Sequence, residues 1–307
     1  MTPPDASVAA TIAAIPPGHT LDPTTSPNAL QTFINSLPSN SVGYLRGGTY
    51  ASASSLGTVR MNGTGVILKP YPGELVTYSG PQFGLRGEGN EVHDIVFNQS
   101  SVPGKCVEAD GADNRLLRCT LTNNNGAGTA GGHCPMVLLG GSAQSTRFTA
   151  EDCFFHSIGK IRERNIFDHA LYIRWATRAR IVNNRAHRIR GGYFVHLYSG
   201  AGQAQVRTLV TGNRTNDSYF AMVALGARNT LLADNVMRNT LVGIRASGLE
   251  TFQPGAGNYY VNNKCHNTDT ARGGASGIVN SGGCTVANTE TGAFAFVDPA
   301  AGDFRIA

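Results

Sequence analysis

The 307-residue sequence is poor in charge, in lysine and in long apolar runs. Charged residues make up 15% of the chain, and lysine occurs only four times, at positions 69, 105, 160 and 264. No apolar run approaches the roughly 18 residues that a membrane-spanning helix needs. Low charge combined with apolar residues along the whole chain also argues against disorder. The sequence therefore predicts a folded protein that does not cross or bind a membrane.

Glycine, in contrast, is abundant, with 38 residues that lack the three-residue period of collagen. Short apolar segments alternate with Gly and Asn turns, and five of these segments end on asparagine. These asparagines are Asn184, Asn213, Asn235, Asn263 and Asn288. Their spacing of 22 to 29 residues and the strand-like alternation fit one coil of a parallel β-helix. An asparagine at the same corner of successive coils can stack its amide and tolerate a left-handed backbone.

The chain divides into two segments of different composition. Residues 1–27 are rich in Pro, Thr and Ala and predict a flexible N-terminal arm. Residues 28–307 predict a single β-helix domain of the all-β class. Within it, Asn28 to Ser36 follows Pro27 and predicts a short helix that caps the open end of the solenoid.

A second set of strands precedes the asparagine corners and carries the polar side chains of interest. Alternate residues of a strand point to opposite faces, so Leu171, Val195 and Ile244 are predicted to point inward. The outward neighbours are then Tyr172, Arg174, His196, Tyr198, Arg245 and Ser247, with Glu108 and Asp110 farther toward the N-terminus. Because adjacent coils lie about 4.8 Å apart, side chains from several coils can meet on one wall.

Positive charge is concentrated in one part of the chain. Nine basic and two acidic residues lie between positions 160 and 190, although the whole chain carries only +5. Most of them are arginine, whose planar fork suits carboxylate groups. This segment predicts a surface for an anionic polymer, and a solvated basic face is the alternative. Nucleic acid is a weaker candidate because few aromatic residues are interleaved for base stacking.

The six cysteines form no C-x-x-C motif, which argues against a zinc or thioredoxin-like site. Their positions in the repeat favour disulfides, and buried free thiols are the alternative. The expected pairs are Cys106–Cys134, Cys119–Cys153 and Cys265–Cys284. Disulfides would place the protein in an oxidising compartment. We therefore expect a secreted protein, although the N-terminus shows no signal peptide, so a leader would have been removed.

Several segments resemble the pectate-lyase-like right-handed parallel β-helix superfamily. They are YLRGGTY at 44–50, ILKPYPGE at 67–74, YSG at 78–80, DHALYI at 168–173, the asparagine corners and the end of the chain from 298 to 305. The first coil resembles the alginate-lyase and chondroitinase-B-like branch. The resemblance covers residues 28–307 and implies a single-stranded right-handed β-helix that acts on carbohydrate. It also makes Ca²⁺ a candidate cofactor, for which Asp94, Glu151 and Asp152 are scattered acidic residues.

The resemblance implies an acidic polysaccharide as the partner, and the residues favour a lyase. Cleavage of a uronic-acid polymer by β-elimination needs a base, a group that neutralises the carboxylate and an acid. We expect His196 or His169 as the base and Tyr172 or Tyr198 as the acid or shared proton carrier. Nearby cations are expected to lower their pKa values. Arg174, together with Lys160 or Arg245, is the expected neutraliser, and Asp168 completes the catalytic set. Substrate binding is predicted for Lys160, Arg162, Arg164, Arg188, Arg190, Arg245 and Trp175.

Three alternatives remain open at this point. A glycoside hydrolase needs two acids, for which Glu108 with Asp110, or Asp168 with Glu163, are the candidates. A uronate epimerase shares the proton-abstraction step of the lyase. The third alternative is a non-catalytic spike or carbohydrate-binding module, monomeric or trimeric. A trimer would need an exposed apolar stripe, which Trp175, Phe194 and Phe220 could supply.

Overall fold

The computed structural model shows a right-handed parallel β-helix with a short N-terminal helix, as the sequence predicts. It describes residues 15–51, 58–80, 82–98, 106–122, 136–159, 168–190, 192–199, 206–247, 257–266, 278–280, 284–287, 296–298 and 303–306. Helix α1 (Pro27–Ser36) is the one helix of this described part.

Within the described residues, thirty-two strands build the solenoid and its C-terminal end. The N-terminal half contains β1 (Thr20–Leu21), β2 (Val42–Leu45), β3 (Gly48–Ala51), β4 (Val59–Met61), β5 (Ile67–Pro70), β6 (Val76–Ser79), β7 (Phe83–Leu85), β8 (Glu91–His93), β9 (Ile95–Asn98), β10 (Val107–Ala109), β11 (Gly111–Ala112), β12 (Arg115–Leu117), β13 (Thr120–Thr122), β14 (Val137–Leu139), β15 (Ser145–Thr146) and β16 (Thr149–Glu151). The C-terminal half contains β17 (Phe154–Ile158), β18 (Leu171–Ile173), β19 (Ala176–Thr177), β20 (Arg180–Val182), β21 (Arg185–Ile189), β22 (Tyr193–Tyr198), β23 (Leu209–Thr211), β24 (Arg214–Leu225), β25 (Leu231–Ala233), β26 (Val236–Ser247), β27 (Asn258–Val261), β28 (Lys264–His266), β29 (Ile278–Asn280), β30 (Cys284–Ala287), β31 (Phe296–Asp298) and β32 (Asp303–Ile306).

The coils stack into three long faces. The first face is an eleven-stranded parallel sheet with the order β1-β2-β5-β8-β12-β16-β20-β23-β25-β27-β30. The second face contains β3, β6, β9, β13, β17, β21 and β28, and the third contains β4, β7, β10, β14, β18, β22 and β29. The 12-residue strands β24 and β26 pass across the corner and belong to both, which joins the second and third faces into one sheet. Strands β31 and β32 form a separate antiparallel pair.

Inward-facing side chains fill the interior between the three faces with one continuous apolar core. Leu171 and Val195, both predicted to point inward, are fully buried there, whereas the side chain of Ile244 lies outside the described residues. The core takes one aliphatic or aromatic residue from every second strand position, as the alternation of a strand requires. The opposite face of each strand is therefore left for the polar residues.

An asparagine ladder closes the corner between the first and second faces, as the spacing predicts. The Oδ1 atom of Asn213 accepts from the backbone N–H of Asn184 at 2.9 Å. The Oδ1 atom of Asn235 accepts from the backbone N–H of Asn213 at 3.1 Å. Asn263 continues the ladder by accepting from the N–H of Asn235. The left-handed residue is the one that precedes each ladder asparagine, such as Asn183 with φ 54°. At each corner, one asparagine thus forms the amide ladder, and the residue before it adopts the positive φ.

Helix α1 caps the N-terminal end of the solenoid. Ser26 caps it, since its hydroxyl accepts from the backbone N–H of Ala29. The apolar side of α1 joins the core through Leu30, Phe33 and Ile34. Part of the predicted arm is ordered as well, because β1 pairs with β2 at the edge of the first face. No helix of the described residues has the length and apolar character to cross a membrane.

The disulfide predictions are wrong for every pair that the described residues test. Cys106, Cys119, Cys153 and Cys265 are buried free thiols, while Cys134 and the side chain of Cys284 lie outside the described residues. Cys119 and Cys153 do occupy equivalent positions of adjacent coils. In-register stacking keeps their Cβ vectors parallel, whereas a disulfide needs Cβ atoms that approach each other. The Cys119 thiol instead donates to the backbone carbonyl of Val92, and the Cys153 thiol donates to that of Leu116.

The other two pairs are separated by register in one case and by position on different faces in the other. Val107 pairs with Val137, so the residue aligned with Cys106 is Met136 rather than Cys134. Cys265 lies in β28 of the second face, whereas Cys284 lies in β30 of the first face. The cysteines therefore give no support for an oxidising compartment.

Candidate functional site

Two rows of residues run along the outer surface of the third face and bring together most of the predicted catalytic residues. The first row aligns Glu108, Leu138, Tyr172, His196, Val223 and Arg245 on successive strands from β10 to β26. The second row, two residues farther along each strand, contains Asp110, Arg174, Tyr198 and Leu225. Tyr172 and His196 are thus in register on adjacent strands, with Arg174 and Tyr198 two residues farther along.

A hydrogen-bonded histidine pair lies at the centre of this wall. The backbone N–H of Tyr193 donates to Nδ1 of His169 at 3.0 Å, so Nδ1 is an acceptor and Nε2 carries the proton. Nε2 of His169 lies 2.8 Å from Nδ1 of His196, and it is therefore the donor of that bond. His196 must then carry its own proton on Nε2. His169 is 1% exposed and His196 9% exposed, so the pair is held in one neutral arrangement by backbone and packing.

A glycine makes this arrangement possible. A Cβ atom at Gly192 would lie 2.6 Å from Nδ1 of His169 and 3.1 Å from the backbone of Asp168. Any larger residue would displace the imidazole from the Tyr193 N–H. Asp168, which precedes the histidine in the chain, is itself 1% exposed, so its carboxylate is buried and does not lie at the surface of the wall.

Tyrosine rings surround the histidine pair. The ring centroid of Tyr172 lies 5.2 Å from that of His169, 5.0 Å from that of His196 and 6.0 Å from that of Tyr198. Burial raises the pKa of Tyr172 to about 12, with a further contribution from Tyr198, and Arg174 opposes this increase only in part. Arg174 thus acts in the expected direction, but the pKa of this tyrosine is raised rather than lowered overall. Tyr172 is a neutral phenol, and hence a proton donor, at neutral pH.

An apolar patch continues the cluster along the outer surface. Tyr193 stacks on Phe220 with centroids 4.5 Å apart, and Val223 is packed with them in a small cluster separate from the main core. Tyr219 and Leu225 cover this cluster and are partly exposed. Phe194, in contrast, belongs to the main core and cannot contribute to an exposed stripe.

The predicted substrate-binding residues are distributed over different surfaces. Arg188 and Arg190 lie at the end of β21 on the second face, where both pair with Asp217. Trp175 is half-buried just after β18, and its backbone and Cβ fit against Gly140, whose φ is +72°. Arg245 falls in the first row of the wall, but its side chain lies outside the described residues. Lys160, Arg162, Arg164 and Glu163 also lie outside the described residues.

Two buried carboxylates lie at the N-terminal end of the same wall. Glu108 and Asp110 are each 3% exposed, and Arg86 forms an ion pair with Glu108 at 3.0 Å. Burial raises the pKa of Asp110, the neighbouring Glu108 raises it further, and Arg86 opposes the increase. The Glu108 strand is two strands from that of Tyr172, as the coil spacing predicts.

The groups that hold these carboxylates were not found from the sequence. Gln82 and Ser142 both donate to Glu108, and the backbone N–H groups of Gly141 and Ser142 reach Asp110. A Cβ atom at Gly141 would overlap with Oε1 of Glu108. A polar, glycine-containing turn directly after a core strand is the signal that could have indicated this cradle.

The acidic residues considered for calcium do not fit a Ca²⁺ site. Asp94 forms an ion pair with Arg118 at 2.8 Å, and Glu151 faces Arg115 at 3.8 Å. Across the described residues, no group of three or more His, Cys, Asp or Glu side chains could hold a metal ion. No step of the chemistry is therefore assigned to a metal.

Comparison with solved structures agrees with this architecture. An alginate lyase from a Paenibacillus species superposes with a TM-score of 0.52 at 10% identity, covering 89% of this chain and 95% of the lyase. The ORF18 protein of Geobacillus virus E2 gives 0.54 at 11% identity, covering 96% of this chain. A PL6 alginate lyase bound to a trisaccharide gives 0.45 at 14% identity, covering 81% of this chain.

The fold is a right-handed parallel β-helix, as in the Paenibacillus lyase and the viral protein. Polysaccharide lyases share this scaffold with a viral protein, so the fold alone leaves the reaction open. The chain spans 60% of the length of the PL6 lyase and 64% of the viral protein. No protein-family model matches the sequence, and no curated protein matches it.

Proposed function

We propose that this β-helix protein cleaves a uronic-acid polysaccharide by β-elimination on the outer surface of its third face. The observation that carries the proposal is the cluster of Tyr172, Arg174 and Tyr198 around the backbone-anchored His169–His196 pair. The cluster combines proton carriers with a guanidinium group that suits a carboxylate. A wall built across successive coils also suits a ligand that is itself a chain.

The hydrogen bonds support a specific division of labour. Arg174 neutralises the uronate carboxylate, which stabilises the charge that develops when the C5 proton leaves. In its deprotonated form Tyr198, which is partly exposed and can pass its own proton to solvent, accepts the C5 proton, because Tyr172 keeps its proton for the leaving group and His196 already carries a proton on Nε2. Tyr172 then donates its proton to the leaving glycosidic oxygen. The proposed base is therefore a tyrosine, whereas the sequence predicts a histidine.

In this scheme the histidine pair positions the tyrosines rather than reacting with the sugar. The ring of His196 lies 5.0 Å from that of Tyr172 and 5.7 Å from that of Tyr198. These distances place the imidazole against both phenol rings, and a polar N–H close to a phenol can stabilise negative charge on its oxygen. A polymer of this kind is found outside cells, so the proposal also implies an extracellular site of action.

The test is ultraviolet absorbance over time on alginate, polygalacturonate, chondroitin and hyaluronan. We expect the absorbance of a new conjugated double bond to increase on one of these polymers, in the presence of chelator as well as calcium. Elimination that is lost on chelation would contradict the scheme. An unchanged absorbance on every polymer would contradict the assignment to a lyase.

A second candidate function is supported by one specific observation. The raised pKa of Asp110 beside Glu108 and Arg86 is the environment of a general acid paired with a carboxylate. A glycoside hydrolase acting there would release reducing ends without a double bond. Reducing-end analysis of the same reactions therefore separates the two functions.

A further inference from the structure

A groove of about 670 Å³ lies on the outer surface of the first face, away from the wall described above. Its lining comes from five coils and includes arginines and acidic residues. These are Arg115, Arg147, Arg178, Arg180 and Arg207, with Glu91, Asp113 and Glu151. Five neighbouring strands at about 4.8 Å spacing give the groove a length of roughly 19 Å along the solenoid axis.

Arginines from successive coils line up at one edge of this groove. Arg147, Arg178 and Arg207 occupy the same corner position, with φ values of 55°, 57° and 59°. Each is linked to the next coil by a backbone hydrogen bond, from Arg147 to Thr177 and from Arg178 to Val206. The repeated left-handed conformation directs the three side chains away from the same corner. Charge therefore repeats with the coil spacing.

The C-terminal members of this series are available for a ligand. Arg147 is paired with Asp113, and Arg115 is paired with Glu91. Arg178, Arg180 and Arg207 are exposed, and within the described residues none of them forms an ion pair. Three positive charges without acidic partners thus lie side by side on two adjacent coils.

The same outer row becomes apolar beyond the arginines. Arg180 pairs in register with Leu209, which is followed by Leu231 and Tyr259 on the next two strands. Leu231 is 37% exposed and Tyr259 52% exposed, and both are among the few large apolar side chains exposed in the described part. A sugar ring has an apolar face and polar edges, so an apolar platform that continues a row of arginines suits an acidic sugar chain.

We propose that this strip, formed by Arg178, Arg180, Arg207, Leu231 and Tyr259, is a second binding site for an acidic polysaccharide, distinct from the cleavage wall. The choice of polymer rests on the proposed function, whereas the existence of an anion site rests on the strip alone. Carboxylates along the sugar chain bind the arginines, and the ring faces pack on Leu231 and Tyr259. The strip would hold a long substrate while another part of it is cut on the third face.

The acidic residues in the groove favour a polysaccharide over a nucleic acid. Glu91, Glu151 and Asp113 offset much of the arginine charge in the groove, whereas binding of a phosphate backbone depends on a large excess of positive charge. The same carboxylates can accept hydrogen bonds from sugar hydroxyls. One exposed aromatic ring is also a sparse platform for a series of stacked bases.

The test compares the wild-type protein with the double variant Arg178→Asn/Arg207→Asn. Asparagine tolerates the left-handed conformation of both corners, so the substitution removes charge with little strain. The charge-matched control is Arg118→Asn/Arg46→Gln, since Arg118 also has a positive φ and lies outside the strip. Binding is measured by affinity electrophoresis in gels containing alginate or polygalacturonate, and by titration with a single-stranded oligothymidylate.

We expect about a tenfold loss of affinity for at least one of the two polysaccharides in the strip variant, with a weaker salt dependence. The control should bind as the wild type does. Unchanged polysaccharide affinity, or a loss confined to the oligothymidylate, would overturn the proposal. The binding measurement does not depend on cleavage. If the wild type forms no double bond but the strip variant still loses affinity, the strip is supported and the lyase assignment is rejected.

Discussion

At the scale of single residues, the site depends on the exact position of one imidazole. His169 is held by the Tyr193 N–H on one side and by His196 on the other, and Gly192 provides the space for it. Alanine at position 192 would force His169 away from the Tyr193 N–H. The neutral tautomer of the pair would then no longer be fixed.

We therefore expect Gly192→Ala to lower the elimination rate about tenfold or more with little change in substrate binding. Nitrogen NMR of the histidine side chains should show that His169 no longer has a single tautomer. Gly63→Ala is the matched control, since its Cβ would meet only the Val66 side chain at 3.2 Å. An unaltered histidine spectrum in Gly192→Ala would contradict the assignment of the hydrogen-bond chain.

A second pair of histidines on the second face makes stability depend on pH. His156 and His187 are in register on β17 and β21. Burial lowers the pKa of both, and Arg188 lowers that of His187 further. A histidine with a lowered pKa in the folded state binds fewer protons than in the unfolded state. The free energy of unfolding is thus unaffected above about pH 6.5 and decreases as pH falls below it.

Urea unfolding at about pH 7.5 and about pH 5.5 tests this dependence. The double variant His156→Gln/His187→Gln should lose less stability between the two pH values than the wild type loses. Equal losses in the two proteins would show that these histidines do not carry the effect.

At the scale of elements, the corners are where the sequence is most informative. The asparagine spacing predicts the ladder of Asn184, Asn213, Asn235 and Asn263, because only a repeated corner brings those amides into one column. The inward and outward alternation likewise predicts the row of Tyr172 and His196. Both are local patterns with a fixed period, which sequence alone can show.

Features that depend on how coils align were not predictable in the same way. Cys134 lies two residues before Met136, which is the residue aligned with Cys106. The coils differ in length, so this register could not be read from the sequence. Strands β24 and β26 continue across a corner that other coils break with glycines such as Gly192. The Tyr193–His169 bond depends on residues 24 apart in the chain, and no short motif marks it.

The ladder itself should contribute strongly to stability. Asn213 accepts from the N–H of Asn184, and its Nδ2 donates to the carbonyl of Ile181 at 2.9 Å. Asn213→Ala would leave both backbone groups buried without these partners. We expect the free energy of unfolding to fall by about 3 kcal/mol in urea titrations. Asn28→Ala, exposed on α1, is the control, and an equal effect there would contradict the role of the ladder.

At the scale of the whole molecule, the solenoid carries two different surfaces along its axis. The third face collects carboxylates, tyrosines and histidines in two rows, and the first face collects arginines followed by apolar residues. One stacked architecture generates both rows because every coil adds one residue to each of them. The direction of the rows, along the solenoid axis, is the direction in which a bound chain would lie.

The central claim is that elimination takes place at the tyrosine cluster and not at the carboxylates at the other end of the wall. The measurement is the initial rate of double-bond formation on the polymer that the wild type cleaves, for Tyr198→Phe and Glu108→Gln. The matched control is Tyr219→Phe, a partly exposed tyrosine on the same face. Circular dichroism verifies that each variant is folded.

We expect Tyr198→Phe to lose about a hundredfold or more of the rate. Glu108→Gln should remain within about tenfold of the wild type, and Tyr219→Phe should match it. A folded Tyr198→Phe that retains the wild-type rate, or a Glu108→Gln that alone abolishes cleavage, would contradict the account.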